Sequence, residues 1–116
     1  MSSNALPPAR RIRRRREFQR VFDAGRRGHG RYLTIIAAPS PGPDSRLGIV
    51  ASKKLGGSVV RNRAKRLIRE VFRTQVCPDH ASDLVIIPKA AALQAQAAEV
   101  VSDYRTTLKR LHLSKT

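Results

Sequence analysis

What the 116-residue chain is short of narrows its chemistry before any motif is read. Cysteine occurs once, at Cys77, so no internal disulfide can form. An inert, half-buried thiol in a reducing cytosol is the expectation. Acids number 8, with no acidic cluster to hold Mg²⁺ and no Cys/His spacing that suits a metal. Of three histidines, His29 lies between glycines, His80 follows Pro78-Asp79, and His112 is near the end. None has a neighbour in sequence that would make a base and its orienter. A nuclease working by a converging His pair is therefore disfavoured, and no catalytic residue is assigned. Tryptophan is absent, and three Phe and two Tyr are the only aromatics. No apolar run approaches the roughly 20 residues that a bilayer span needs. The basic N-terminus lacks the apolar core of a secretion signal, and nothing repeats internally.

What is abundant is positive charge. Lys and Arg number 24, for a formal net charge of +16. Such an excess repels itself in a compact fold, so a polyanion is the expected partner, either nucleic acid or a membrane surface. The length allows one domain with one modest core. Residues 1–10, with Pro7-Pro8 and little that can pack, read as a disordered basic arm, and 11–116 as a single RNA-binding domain. Residues 10–16 are nearly continuous arginine, broken by Ile12. There Arg11, Arg13, Arg14, Arg15 and Arg16 offer auxiliary phosphate contacts.

The chain is organised around residues 52–73, S-K-K-L-G-G-S-V-V-R-N-R-A-K-R-L-I-R-E-V-F-R. Gly56-Gly57 ends the preceding pattern, Ser58 can cap, and no Gly or Pro follows until Pro78. This predicts a helix over 59–76. Val60, Ala64, Leu67, Ile68 and Val71 form one stripe, with Phe72 at its edge. Asn62, Arg66, Arg69 and Arg73 fall opposite, flanked by Arg61, Arg63 and Lys65. A solvated charged face usually alternates its signs. Here Glu70 is the only acid against six cations, which calls for an external counter-charge. Asn62 among them suggests a polar contact that another cation could not make. Ser52, Lys53 and Lys54 read as an anion-contact loop.

Around that helix the chain reads in order. Residues 17–24 form a short helix with Phe18 and Phe22 at i and i+4, ended by Gly25. By pattern alone both rings are core residues, although a ring flanked by arginine is also a stacking platform for bases. Residues 25–30 are a turn-rich link. Residues 32–38 read as a strand with Tyr32, Thr34 and Ile36 on one face. After the Pro-rich turn at 39–44, residues 46–52 are its expected hairpin partner, with Val50 and Ser52 on one face. Residues 83–88 form an apolar strand suited to the centre of a sheet. A second long helix is expected over 90–112, packing through Leu93, Ala97, Val100, Val101, Tyr104, Leu108 and Leu111.

The run R-N-R-A-K-R-L-I-R-E behind a Lys-Lys loop, with E-F-Q-R-V-F near the start, closely resembles the bacterial ribonuclease P protein component. The resemblance covers nearly the whole chain. It implies an α+β sandwich in α-β-β-α-β-α order, a small mixed sheet with helices packed on it and a left-handed β-α-β crossover through the R-N-R helix. It also implies a role as RNA-binding subunit of the ribonuclease P holoenzyme, which removes the 5′ leader of precursor tRNA. The catalytic groups would reside in the RNA subunit. Mg²⁺ would be expected in that RNA-centred holoenzyme, with no cofactor held by the protein. The partners implied are the ribonuclease P RNA and precursor tRNA, in the cytoplasm, with no membrane and no obligate protein partner. The R-N-R helix would face the catalytic RNA through Arg61, Asn62, Arg63, Lys65, Arg66, Arg69 and Arg73. Phe18, Phe22 and Val50 match positions that face the leader, and with Tyr32, Ile36, Ser52, Lys53 and Lys54 they make up the expected leader-binding set. Where many members carry an aromatic on the first strand, this chain has Ile36, with Tyr32 further back. The competing expectation is a basic RNA-binding protein of ribosomal type, with no role in tRNA processing.

Overall fold

The computed structural model describes residues 6–75 and 78–113. The first five residues of the expected arm, the end of the 59–76 helix, Cys77 and the last three residues lie outside them. Helix α1 (Arg15–Ala24) starts where Glu17 folds back on the chain. Its Oε1 accepts the backbone N–H groups of Arg13 and Arg14 at 3.2 and 3.1 Å, which satisfies donors that the first turn leaves open. The helix stops at Gly25, where a Cβ would stand 2.4 Å from the Val21 carbonyl and 2.8 Å from Ile36 Cγ2. Only glycine admits that approach of helix end to sheet.

The sheet has four strands in the order β1-β2-β4-β3. Strand β1 (Arg26–His29) occupies what reads in sequence as a link, and pairs antiparallel with β2 (Leu33–Pro39). The expected hairpin between residues 32–38 and 46–52 does not form. Strand β4 (Ser82–Pro88) lies between β2 and β3 (Arg46–Ile49), antiparallel to the first and parallel to the second. The reason is burial. Leu84, Val85 and Ile86 are apolar on both faces and leave water completely only at the centre, whereas β3 is short enough for an edge. Apart from the added β1, the α-β-β-α-β-α order holds. Helix α2 (Ser58–Thr74) closes the parallel β3-α2-β4 unit.

The sheet is covered unequally. One face packs Leu33, Ile35, Leu84 and Ile86 against Ile68 and Phe72 of α2 and Val100, Tyr104 and Leu108 of α3 (Ala97–Arg110). The other carries a smaller layer of Ile36, Ala38 and Val85 under Val21, with Phe18, Phe22, Val50 and Ile87 only partly covered. Residues 6–10, expected in a disordered arm, join the packed body. Leu6 is 4 % exposed in the larger core, Pro8–Arg10 make a 3₁₀ turn, and Arg11 Nε donates to the Leu6 carbonyl at 2.6 Å. Ile12 N–H then bonds the Leu47 carbonyl at 2.9 Å, so the arm shields the free edge of β3.

Two helix boundaries also differ from expectation. Ser58 is the first helical residue of α2 rather than its cap, a place taken by Gly57. The 90–112 helix is split into a 3₁₀ turn at Ala90–Leu93 and α3, because Gln96 and Glu99 form a capping box that starts a new helix. Ala97 is consequently exposed instead of packed.

Candidate nucleic-acid interface

Helix α2 buries Ala64, Ile68, Val71 and Phe72 and turns its cations outward. Asn62, Arg63, Arg66 and Arg73 are exposed, and Arg61, Lys65 and Arg69 are half-buried. Glu70 pairs with Arg73 at 2.7 Å, one helical turn on, leaving the face strongly positive. Upstream, Ser52, Lys53 and Lys54 are exposed on a 3₁₀ turn (Lys53–Leu55). Gly56 follows with φ 141°, a conformation that other residues rarely adopt, and this redirects the chain into α2.

Other arginines serve the fold. Asp83 is fully buried on β4 and accepts Arg46 Nε at 2.9 Å and Arg46 Nη2 at 2.7 Å, together with Arg20. Arg46 also donates to Glu17 Oε2 at 2.9 Å. Hydrogen bonding to Asp83 raises the Arg46 guanidinium above its usual range. Hydrogen bonds from the Arg14 and Arg13 backbones and from Arg46 hold the Glu17 carboxyl down at about 2. This network pins α1 across the sheet. Breaking it from the arginine side would leave a buried, unpaired carboxylate, a loss of about 3–5 kcal/mol.

Between the pinned end of α1 and the sheet an apolar trough stays open. Phe18, Phe22, Val50 and Ile87 are its half-exposed walls. The Arg27 guanidinium lies 5.8 Å from the Phe22 ring centroid, within cation–π range. At the Phe18 end a groove of about 600 Å³ runs past Arg11 and Ile49 to Lys65, Arg66 and Arg69 of α2. The aromatic wall and the cationic helix are therefore parts of one surface. Arg13, Arg14, Arg15 and Arg16 are exposed around the start of α1.

Two expected site residues offer no exposed contact in the trough. Tyr32 points into the larger core, 8 % exposed. It precedes β2, so strand alternation does not govern it. The Asp103 carboxylate of α3 accepts its backbone N–H at 2.8 Å, and its hydroxyl donates to Glu99 Oε2 at 3.2 Å. Ile36 does face the trough, but it is wholly buried beneath it and can only serve as floor. Sequence reasoning missed Ile87 and Arg27. The uniform L-V-I-I run of β4 hid the alternation that exposes Ile87, and Arg27 belongs to the unrecognised β1. Among the described residues no group of three or more His, Cys, Asp or Glu could hold a metal ion. No helix among them is long and apolar enough to cross a membrane.

A family model described as Ribonuclease P matches residues 6–112. The chain belongs to the ribonuclease P protein family. It is 38 % identical over 101 residues to the ribonuclease P protein component of Syntrophus aciditrophicus, covering 86 % of this chain and 85 % of that one. Identity is 38 % over 112 residues to the component from Desulfovibrio desulfuricans, covering 91 % and 85 %. Among solved structures, the RNase P protein of Staphylococcus aureus superposes with TM-score 0.79 at 30 % identity, covering 90 % of this chain and 96 % of that one. The Thermotoga maritima RNase P protein gives 0.76 at 30 %, covering 86 % and 96 %. As a ribonuclease P protein, the chain is the RNA-binding subunit of a holoenzyme that processes tRNA 5′ ends, and its partner there is the ribonuclease P RNA. The ribosomal-type alternative is not favoured.

Proposed function

We propose that the two halves of this surface divide the labour within the holoenzyme. The α2 face, through Arg61, Asn62, Arg63, Lys65, Arg66, Arg69 and Arg73, neutralises phosphates of the catalytic RNA, helped by Arg11 and Arg13–Arg16. The trough of Phe18, Phe22, Val50 and Ile87 holds the single-stranded leader of precursor tRNA, with Ser52, Lys53 and Lys54 along its phosphates. Mg²⁺ belongs to the RNA in this reading, and the setting is the cytoplasm. The observation that carries it is the continuity of the half-exposed aromatic wall with the cationic helix through the Arg11–Arg69 groove. A surface of stacking rings beside a row of cations suits unpaired nucleotides next to structured RNA. A leader adds contacts that mature tRNA lacks, so discrimination follows from differential binding.

Reconstitution tests this. Added to its cognate RNA subunit at low Mg²⁺, the protein should accelerate leader release, and the complex should bind precursor tRNA more tightly than mature tRNA. Equal affinities for the two would rule out the leader assignment, whatever happens to the rate.

A further inference from the structure

On the flank of α2 away from Phe18 lies a second groove, of about 580 Å³, closed on its far side by the Ala90–Leu93 turn. Arg63, Arg66, Glu70 and Arg73 line its α2 wall, and Leu67 and Ala92 contribute apolar floor. Glu70 is the only acid of α2. Its Oε2 accepts Arg73 Nη2 at 2.7 Å, whereas Oε1 is shielded from solvent with no hydrogen-bond partner among the described residues. The side chain as a whole is 43 % exposed and lines the groove, and a half-turn about its last torsion exchanges the two carboxylate oxygens.

Three arginines alone would suit any phosphate, but an acid among them works against that. The combination suits a flat ligand that brings N–H donors for Glu70 and acceptors for the arginines. An unpaired base fits, and the four bases are not equivalent. Guanine alone sets two adjacent donors, N1–H and N2–H₂, on its Watson–Crick edge, and its O6 and N7 are the acceptors that arginine reads. Adenine and cytosine place a ring-nitrogen lone pair beside the amino group, and uracil flanks its N–H with carbonyls. Each of these would turn a repelling lone pair on the carboxylate. The base plane can lie on Leu67 or on a guanidinium.

We propose that this groove holds an unpaired guanine of the RNA partner, recognised by Glu70 and the surrounding arginines. This rests on the reading of α2 as the RNA-facing helix.

The test uses the protein alone and fluorescently labelled RNA heptamers of uridine carrying one central guanine, adenine or inosine. By anisotropy, the guanine heptamer should bind at least about fivefold tighter than the adenine one, with inosine, which lacks the N2 amino group, in between. Glu70→Gln should erase the preference while leaving the adenine heptamer bound as tightly or more tightly, because an acid has gone from a cationic face. Ala95→Phe should erase it as well, by filling the groove with Glu70 intact. Equal binding of guanine and adenine heptamers by the unmodified protein, or a preference that survives both substitutions, overturns the proposal alone. Failure of every heptamer to bind overturns it together with the reading of α2.

Discussion

Phe18 shows how much of the site depends on single atoms. Its ring is seated on Gly48 of β3, where a Cβ would lie 2.6 Å from Phe18 Cε1, 2.8 Å from Cζ and 3.1 Å from Ile12 Cβ. Gly48→Ala must therefore lift the ring or push back the arm. We expect about 1–3 kcal/mol of lost stability, visible as a lower denaturation midpoint, along with a weakened preference for precursor. Phe18→Ala should cost precursor binding about 1–3 kcal/mol while leaving mature tRNA binding little changed, measured as a ratio of Kd values. Equal losses for both tRNAs would make Phe18 a packing residue. At this scale the sequence is legible where local periodicity decides. Phe18 and Phe22 at i and i+4 pack side by side on the smaller apolar layer, as their spacing implies. It is illegible where a distant group decides: Tyr32 is turned away from the trough by Asp103 and Glu99, some seventy positions along the chain.

The same division holds for whole elements. Helix α2 was readable because its apolar stripe and its cations obey one period. The position of β4 was not, since a pattern of apolar residues states that a strand is buried but not between which neighbours. Helix α1 combines both cases: its stripe is local, and its start depends on Glu17, which also reaches across to Arg46. The carboxyl of Glu17 is lowered from 4.5 to about 2, chiefly by the Arg14 backbone N–H. A depressed carboxylate contributes its stability in full above about 4.5 and loses it as pH falls towards 2. Thermal melts of the protein and of Glu17→Gln should differ by about 1–2 kcal/mol at pH 7, the worth of a helix cap with one charged bond. That gap should narrow below pH 5 and close near pH 2. A gap that stays constant over this range would mean that the ionised carboxylate does not hold the turn.

For the molecule as a whole, the placement of its charge matters more than the net charge of +16. Glu17 and Asp83 are engaged with Arg20 and Arg46, and Asp103 with the backbone of residues 31–33, so these acids do not offset the α2 face. If net charge alone drove association, any exposed arginine would count equally. If the α2 face is the main contact, its cations release counterions from the RNA and an arginine remote from the surface does not. Arg61→Ala combined with Arg66→Ala should then reduce the slope of log K against log salt by about 0.7–0.9 for each cation lost. Arg105→Ala, an exposed arginine on α3, removes the same unit of charge and should leave the slope unchanged. The two variants are compared by titrating the ribonuclease P RNA across a salt series. Equal reductions per charge would show that the RNA responds to a diffuse positive field and not to the ordered row of cations on α2.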